Sequence, residues 1–167
     1  GDLDGGGAGN TNDGITIDNI QGAFTTVSVT DAEADVALSF EANALDGANA
    51  LALTLDDLQE VGFNIVEEDG AGDETGYETV NLTTSGSASV LDDLKINGTE
   101  TLNIDGSANL TVAALSTSAG VLAAINASEM TGDLDVDLGN DDLVEASTSD
   151  GSGADIDFDY DGSQGAD

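Results

Sequence analysis

The sequence predicts an all-β protein built as a parallel β-solenoid with coils of about 20 residues. Short runs in which apolar and polar residues alternate recur along the chain, and Gly, Asn, Asp or Ser bound each run. Stretches with helical periodicity are scarce, and one short segment repeats at nearly the length of a solenoid coil. A β-sandwich is the alternative arrangement of the same strands.

The alternating runs are rich in Val, Ile, Leu and Thr, which is typical of strands. The predicted strands are Ile15 to Ile20, Phe24 to Val29, Val36 to Phe40, Leu51 to Leu55, Phe63 to Val66, Thr79 to Thr83, Thr101 to Ile104, Leu110 to Val112, Leu134 to Leu138 and Ile156 to Tyr160. Leu55 to Val61 and Ser118 to Ile125 have the spacing of short helical turns. For residues 15–55 the sandwich stays open, because the repeat is unclear there.

The internal repeat contains an apolar–Asn–apolar triplet. Gly76 to Leu82 aligns with Gly98 to Ile104 at an offset of 22 residues, and Leu55 to Leu58 recurs as Leu91 to Leu94. The central Asn residues of the triplets are Asn64, Asn81, Asn103 and, in a weaker copy, Asn126, spaced by 17, 22 and 23 residues. Because equivalent residues stack in a solenoid, the triplets predict an inward Asn ladder along its axis.

The predicted organisation has three parts. Residues 1–14 form a Gly/Asp-rich N-terminal loop or subunit junction, residues 15–149 form the solenoid body, and residues 150–167 form an acidic C-terminal segment with calcium-loop patterns.

Charge dominates the composition. The chain has 35 acidic residues against one base, Lys95, for a formal net charge of −34. Self-repulsion at this charge opposes a compact state, so cations are expected to neutralise carboxylates when the chain folds. Several Ca²⁺ ions are the expected cofactor, because Ca²⁺ takes oxygen ligands. With no Cys and no His, the composition excludes zinc–thiolate, haem and iron–sulfur sites and Cys- or His-based nucleophilic catalysis.

The same composition bears on partners and catalysis. One Lys and no Arg cannot clamp phosphates, so neither nucleic acid nor an anionic membrane is an expected partner, and no run is apolar enough for membrane insertion. Paired carboxylates can hydrolyse glycosides, but sugar sites usually carry aromatic platforms, and the chain has only four Phe and two Tyr. The prediction is therefore a protein that is not an enzyme, with no catalytic residues.

The acidic residues cluster where strands turn. Asp157, Asp159 and Asp161 precede Gly162 in a D-x-D-x-D-G pattern, the opening of an EF-hand-type calcium loop. Weaker candidate ligands are Asp2, Asp4 and Asp13 near the start, Asp69 and Asp73 in the acid-rich loop 67–74, and Asp141 and Asp142 after the strand at Leu134. For any single cluster, a solvated acidic face is the alternative.

Two stretches carry a family resemblance. Thr101 to Val112 and Ile125 to Gly139, followed by Asn140 to Asp142 and by Gly151 to Asp155, resemble bacterial RTX-type surface-layer proteins over roughly residues 49–160. Gly151 to Asp155 is similar to the G-x-G-x-D core of that family's nonapeptide calcium repeat, although the tandem repeat array is missing. The resemblance implies a secreted, type I exported cell-surface solenoid that forms lattices or filaments, with metal roles for Asp141, Asp142, Asp155 and Asp157.

Composition, repeat and resemblance together predict a structural extracellular protein, a calcium-stabilised subunit whose partner is a copy of itself, bridged end to end by calcium. Cell-surface polysaccharide stays open as a second partner. The alternative function is an adhesin or a glycan- or ice-binding module with a flat Thr-rich face. Its candidate residues are Thr25, Thr26, Thr79, Thr83, Thr84, Thr101 and Thr111. Ordinary β-propensity also accounts for these residues, and a regular Thr-x-Thr column is missing.

Overall fold

The computed structural model describes residues 14–48, 50–67, 76–117 and 122–137, together with the backbone of 159–161. Within these residues the fold is all-β without a helix, and parallel strands stack as a β-solenoid. The strands are β1 (Ile15–Ile20), β2 (Thr26–Thr30), β3 (Val36–Phe40), β4 (Ala50–Asp56), β5 (Val61–Glu67), β6 (Thr79–Thr84), β7 (Ser89–Ile96), β8 (Thr101–Gly106), β9 (Leu110–Val112), β10 (Leu115–Ser116), β11 (Ala124–Asn126), β12 (Leu134–Val136) and β13 (Asp159–Asp161). The predicted fold class is confirmed.

The strands form two parallel sheets. Sheet A has the order β1-β3-β5-β7-β9-β12, with β10 beside β7, and sheet B has the order β13-β11-β8-β6-β4-β2. The chain therefore passes from one sheet to the other and returns one rung further along the axis. Strands β1 to β4 belong to this solenoid, so the sandwich alternative for residues 15–55 is wrong.

The register between neighbouring strands gives the length of each coil. Thr79 pairs with Thr101 and Thr101 pairs with Ala124, which confirms the offsets of 22 and 23 residues. Elsewhere the coil length varies: 21 residues separate Ile15 from its partner Val36, and 27 separate Val36 from Phe63. The longer coils carry additional residues in the connections between the sheets.

The core lies between the two sheets and is almost entirely aliphatic. In β4, Leu51, Leu53 and Leu55 are fully buried, while the residues between them are more exposed. Leu82 of β6 and Leu102 of β8 continue the same inward pattern. Each such side chain contributes about 1.5–3 kcal/mol by leaving water, so the apolar interior opposes the charge repulsion of the surface.

Aromatic residues line one corner of the core. The Phe40 ring meets Phe24 and Tyr77 edge to face, with centroid distances of 5.7 and 6.1 Å. The Tyr77 hydroxyl accepts a hydrogen bond from the Phe24 backbone N–H at 2.9 Å. The aromatic side chains in this corner therefore serve packing.

The Asn ladder runs along the outer surface and not inside the solenoid as predicted. Asn81 pairs in register with Asn103, and the Asn103 Nδ2 donates to Asn81 Oδ1 at 2.8 Å. Val80 and Leu82 are buried, so alternation turns Asn81 outward. An inward amide would need partners that this aliphatic core cannot supply. Asn64 lies in sheet A opposite Lys95, so the 17-residue spacing is not a coil.

Strand β7 (Ser89–Ile96) is absent from the predicted set. Its alternation is broken at Asp92 and Asp93, where the pairing with β5 shifts register by one residue. A bulge of this kind hides a strand from a period-two pattern. The apparent repeat of Leu55 to Leu58 at Leu91 to Leu94 is also not structural, since Leu55 lies in sheet B and Leu91 in sheet A.

The two predicted helical turns are wrong where the structure describes them. Asp57 and Glu60 have φ values of 55° and 54°, which are incompatible with a right-handed helix across this segment. In the second segment, residues 118–121 lie outside the described part, and Ala124 begins strand β11. The described residues also contain no helix long and apolar enough to cross a membrane.

Candidate functional site

The structure describes few of the predicted calcium ligands. Asp2, Asp4, Asp13, Asp69, Asp73, Asp141, Asp142, Asp155 and Asp157 lie outside the described residues. Asp159 and Asp161 lie in β13, where their backbone positions align with Ala124 and Asn126 of β11. All of these residues remain predictions as metal ligands.

Some of the described acidic residues lie in the turns that lead from sheet B to sheet A, namely in 31–35, 57–60 and 127–133. We call the segments 31–35, 57–60, 85–88, 107–109 and 127–133 the stacked turns, because each connects a strand of sheet B to a strand of sheet A, and backbone hydrogen bonds link these turns or the adjoining strand ends of neighbouring coils. The Asp31 N–H donates to the Asp56 carbonyl at 3.0 Å, and the Thr131 N–H donates to the Gly106 carbonyl at 2.9 Å. The backbone of each turn therefore continues the ladder that joins the strands.

Two carboxylates in this region hold the next coil through its backbone. Asp35 Oδ1 accepts from the buried Gly62 N–H at 2.8 Å, and Asp56 Oδ1 accepts from the Ser87 N–H at 2.9 Å. Hydrogen bonds to an ionised acceptor are among the stronger ones. These two acids therefore have a structural role that sequence reasoning missed, although their positions hint at it, since Asp35 directly precedes β3 and Asp56 ends β4.

Asn109 and Asp133 make a similar link between later coils. Asn109 Oδ1 accepts from the Asp133 N–H at 3.0 Å, while Asn109 Nδ2 donates to Asp133 Oδ2 at 3.1 Å. Glu67 holds a connection on the other side of the solenoid, where its Oε1 accepts from the Leu45 N–H at 3.3 Å. Side-chain oxygens thus join neighbouring coils at several points.

No group of three or more carboxylates in the described part of the chain is arranged to hold a metal ion. The acidic pattern at Asp133, Asp135 and Asp137 illustrates why. Asp133 engages Asn109, and Asp135 lies in β12 beside Thr111 of β9. These carboxylates are spread along a strand and do not converge.

The outer surface of sheet B is free of charge over most of its extent. We call this surface the uncharged face, and its residues are Thr26, Ser28, Thr30, Ala50, Ala52, Thr54, Thr79, Asn81, Thr83, Thr101, Asn103, Ala124 and Asn126. All thirteen are half-buried or exposed, and Asp56 and Asp105 flank them near the ends of β4 and β8. The face ends at β11, because the backbone register of β13 aligns Asp159 with Ala124 and Asp161 with Asn126.

The uncharged face is ordered as columns along the solenoid axis. Its middle column runs through Thr26, Ala52, Asn81, Asn103 and Asn126. A neighbouring column contains Ser28, Thr54 and Thr83 before it ends at Asp105. Adjacent rungs lie about 4.8 Å apart, so like side chains repeat at a short, constant interval.

The predicted Thr-rich face is only partly confirmed by the arrangement. Thr79 and Thr101 are neighbours on sheet B, but Thr111 lies in β9 of sheet A. Thr84 is buried, and its Oγ1 donates to the Ala108 carbonyl at 2.8 Å. Thr25 precedes strand β2. The informative signal in the sequence was the absence of charge at the alternate positions of β2 and β6 and at Ala50, Ala52 and Thr54 of β4.

The first rung presents the largest exposed apolar side chains. Ile15 and Ile17 align with the core residues Val36 and Leu38, but they are 42% and 47% exposed. In later rungs the same positions are covered on both sides. The described part of the solenoid therefore has an apolar end at β1.

Tyr77 is the buried ionisable group of the aromatic corner. Burial raises the pKa of its phenol above the usual 10.0, and the hydrogen bond from the Phe24 N–H opposes this shift by a smaller amount. The neutral phenol is therefore the form that fits the folded protein.

Comparison with known proteins adds no family to this description. No family model, no curated protein and no solved structure matches the chain.

Proposed function

We propose that this chain is a structural, non-enzymatic subunit of the cell exterior, stabilised by Ca²⁺, that assembles with copies of itself into a surface layer or filament. The observation that carries the proposal is the apolar first rung, where Ile15 and Ile17 occupy core positions without core burial. The resemblance of Thr101 to Val112 to RTX-type surface-layer proteins supports the same function.

A parallel solenoid is well suited to end-to-end assembly. Within the described residues, β1 and β2 pair on one side only, so each offers backbone groups to a further strand. Another copy that continues both sheets would cover Ile15 and Ile17 and extend the same ladder. The contact would be heterologous, and repetition of it gives a filament and not a closed dimer.

Calcium would neutralise the negative charge that two copies bring to such a contact. Two chains of formal charge −34 repel strongly at short distance. Carboxylate oxygens from both sides of a junction are suitable ligands for Ca²⁺, and extracellular calcium modules bind it in the range of about 0.1–1 mM. Asp2, Asp4, Asp159 and Asp161 are the residues proposed for this junction.

Charge added to the first rung tests the assembly surface directly. The double variant Ile15→Glu/Ile17→Glu places carboxylates at the apolar end, and because both residues are exposed we expect the fold to persist. Sedimentation velocity with Ca²⁺ should show polymers for the unmodified chain and monomers for the double variant.

Thr16→Glu is the matched control. It lies between the two Ile residues and is exposed, but strand alternation points it to the opposite side. We expect polymers of this variant at the same calcium concentration. Loss of assembly in both variants would show a general charge effect, and assembly of the double variant would exclude the first rung as the contact.

A further inference from the structure

We propose that the uncharged face of sheet B binds an extended neutral polysaccharide laid along the solenoid axis. This binding requires only the folded solenoid and does not depend on the self-assembly proposed above. The residues assigned to the contact are the Asn column of β6, β8 and β11 and the Thr, Ser and Ala side chains beside it.

The charge distribution selects the chemistry of the partner. A cation would be drawn to the acidic turns 31–35 and 57–60, and an anion would be repelled by the chain as a whole. Within β2, β4, β6, β8 and β11 the face itself offers only hydroxyl, amide and methyl groups. Acidic residues border it: Asp56 and Asp105 end its columns on one side, Glu78 and Glu100 precede β6 and β8 on the other, and the backbone positions of Asp159 and Asp161 in β13 continue its columns past β11. An uncharged, hydroxyl-rich partner therefore meets the face without loss of hydrated charges.

The polar groups of the face are held in place before a partner arrives. The bond from Asn103 Nδ2 to Asn81 Oδ1 uses one N–H of Asn103 and fixes the orientation of both amides. Each primary amide has two donors and an acceptor oxygen, so the column keeps capacity for sugar hydroxyls. The Thr side chains beside it have few accessible rotamers, which lowers the entropic cost of binding.

The repeat of the face matches a polymer better than a small molecule. Asn81, Asn103 and Asn126 occupy equivalent positions in three successive rungs. No aromatic side chain lies on the face to stack on a single sugar ring. The affinity must then come from many weak contacts along one polysaccharide, and it should rise with the length of that polysaccharide.

A second copy of the protein is a poorer occupant. The face spans five strands about 4.8 Å apart and three outward residues along each of the longer strands, so it covers roughly 350–500 Å². Two such faces would bury under about 1,000 Å², below the range of about 1,200–2,000 Å² for stable protein interfaces. Ice is also disfavoured, because Asn and Ala interrupt the Thr columns.

Affinity electrophoresis in native gels tests the proposal. The folded chain is run with Ca²⁺ through gels that contain hydroxyethyl cellulose or dextran as neutral polymers, or hyaluronan as an anionic polymer. We expect retardation in at least one neutral gel and none in hyaluronan. Soluble oligosaccharides of the retarding polymer should bind at least about tenfold more weakly than the polymer.

Asn81→Asp is the main variant, with Asn64→Asp as its matched control. Both residues are half-buried and face outward, but Asn64 lies on sheet A. Aspartate at position 81 still accepts from Asn103, so the fold should persist while a charge enters the face. We expect about tenfold weaker binding for Asn81→Asp, the equivalent of roughly 1.4 kcal/mol, and unchanged binding for Asn64→Asp.

Asn103→Ala provides a second variant without added charge, and it should also weaken binding severalfold. Absence of retardation in both neutral gels, or equal effects of Asn81→Asp and Asn64→Asp, would overturn the proposal. Self-association or ice-crystal shaping that Asn81→Asp abolishes would also overturn it, because the face would then serve another copy or ice.

Discussion

The stacked turns 31–35 and 57–60 adjoin strands of sheet B whose outward residues form the uncharged face, but the two regions differ in charge. The turns 31–35 and 57–60 carry Asp31, Glu33, Asp35, Asp57 and Glu60, whereas the outward residues of β2 and β6 carry no charge. In a parallel in-register sheet, an acid at one position of every rung would stack like charges about 4.8 Å apart. Turns avoid this cost because their side chains diverge into solvent or accept backbone N–H groups.

This difference teaches where a strongly acidic solenoid can place its carboxylates. At a turn, a carboxylate such as Asp35 joins coils through a backbone N–H and remains accessible to cations. In the middle of an in-register strand face, a carboxylate repeated in every rung would repel its neighbours, whereas Asp56 at the end of β4 still reaches the Ser87 N–H. Substitutions in the two regions should therefore have very different effects on stability.

The largest effect is expected at Gly106, where strand β8 ends and its backbone lies against the preceding coil. Gly106 has φ +125°, and a Cβ there would collide with the Thr84 carbonyl oxygen. Gly106→Ala should therefore lower the free energy of unfolding by at least about 2 kcal/mol, measured by urea denaturation. Gly22→Ala, where nothing lies within 4 Å of the added Cβ, is the control and should change little. Equal stability of the two variants would contradict the close approach of the coils.

The link from Asp35 to the next coil should give the next largest effect. Asp35→Ala leaves the buried Gly62 N–H without its acceptor and should cost about 1–2 kcal/mol. Asp35→Asn keeps an acceptor oxygen and should recover most of this loss. Glu33→Ala removes the same charge from the same exposed turn, so thermal denaturation of all three separates the hydrogen bond from the charge. If Glu33→Ala is as destabilising as Asp35→Ala, the link has no special role.

Tyr77 extends the comparison to an ionisable group that is buried in the core. Its pKa is raised by burial, so the folded state holds the phenolic proton more tightly than the unfolded chain does. Stability should be unaffected by this group below about pH 10 and should fall as the pH rises through the folded-state pKa. Denaturation followed from pH 8 to 11 should show this decline.

Tyr77→Phe should remove that alkaline component and lower stability at neutral pH by about 1 kcal/mol, because the Phe24 N–H loses its acceptor. An unchanged alkaline decline in this variant would assign the effect to another group.

The smallest effect is expected on the uncharged face. Asn103→Ala breaks the partly buried bond to Asn81 and should cost about 0.5–1 kcal/mol. Thr83→Ala on the same face should stay within about 0.5 kcal/mol. Chemical denaturation measures both variants. If either lost as much unfolding free energy as Gly106→Ala, the face would be part of the stabilising framework and not a free surface.

Much of the fold was predictable because alternation survives in most strands. The bounds of β3 and β9 agree with the sequence pattern, and the 22-residue repeat gives the register of β6 with β8. Strand β7 was not predictable in the same way, because its bulge at Asp92 and Asp93 breaks the period. The prediction that Asn81 points inward was wrong, because the repeat shows which residues stack on one another but not whether they face the core or the solvent.

The candidate sites were less predictable than the fold. Pattern alone does not show that Asp35 and Asp56 accept backbone N–H groups, because that depends on which coil lies next to each turn. The uncharged face also becomes visible only when strands far apart in sequence are placed side by side.

The most direct test of the account is circular dichroism with simultaneous light scattering, first in EDTA and then across a Ca²⁺ titration. We predict a disordered spectrum in EDTA that changes to a β spectrum, with scattering that rises near millimolar Ca²⁺. A β spectrum that is unchanged by EDTA, together with a monomer at every Ca²⁺ concentration, would contradict calcium-dependent folding and assembly.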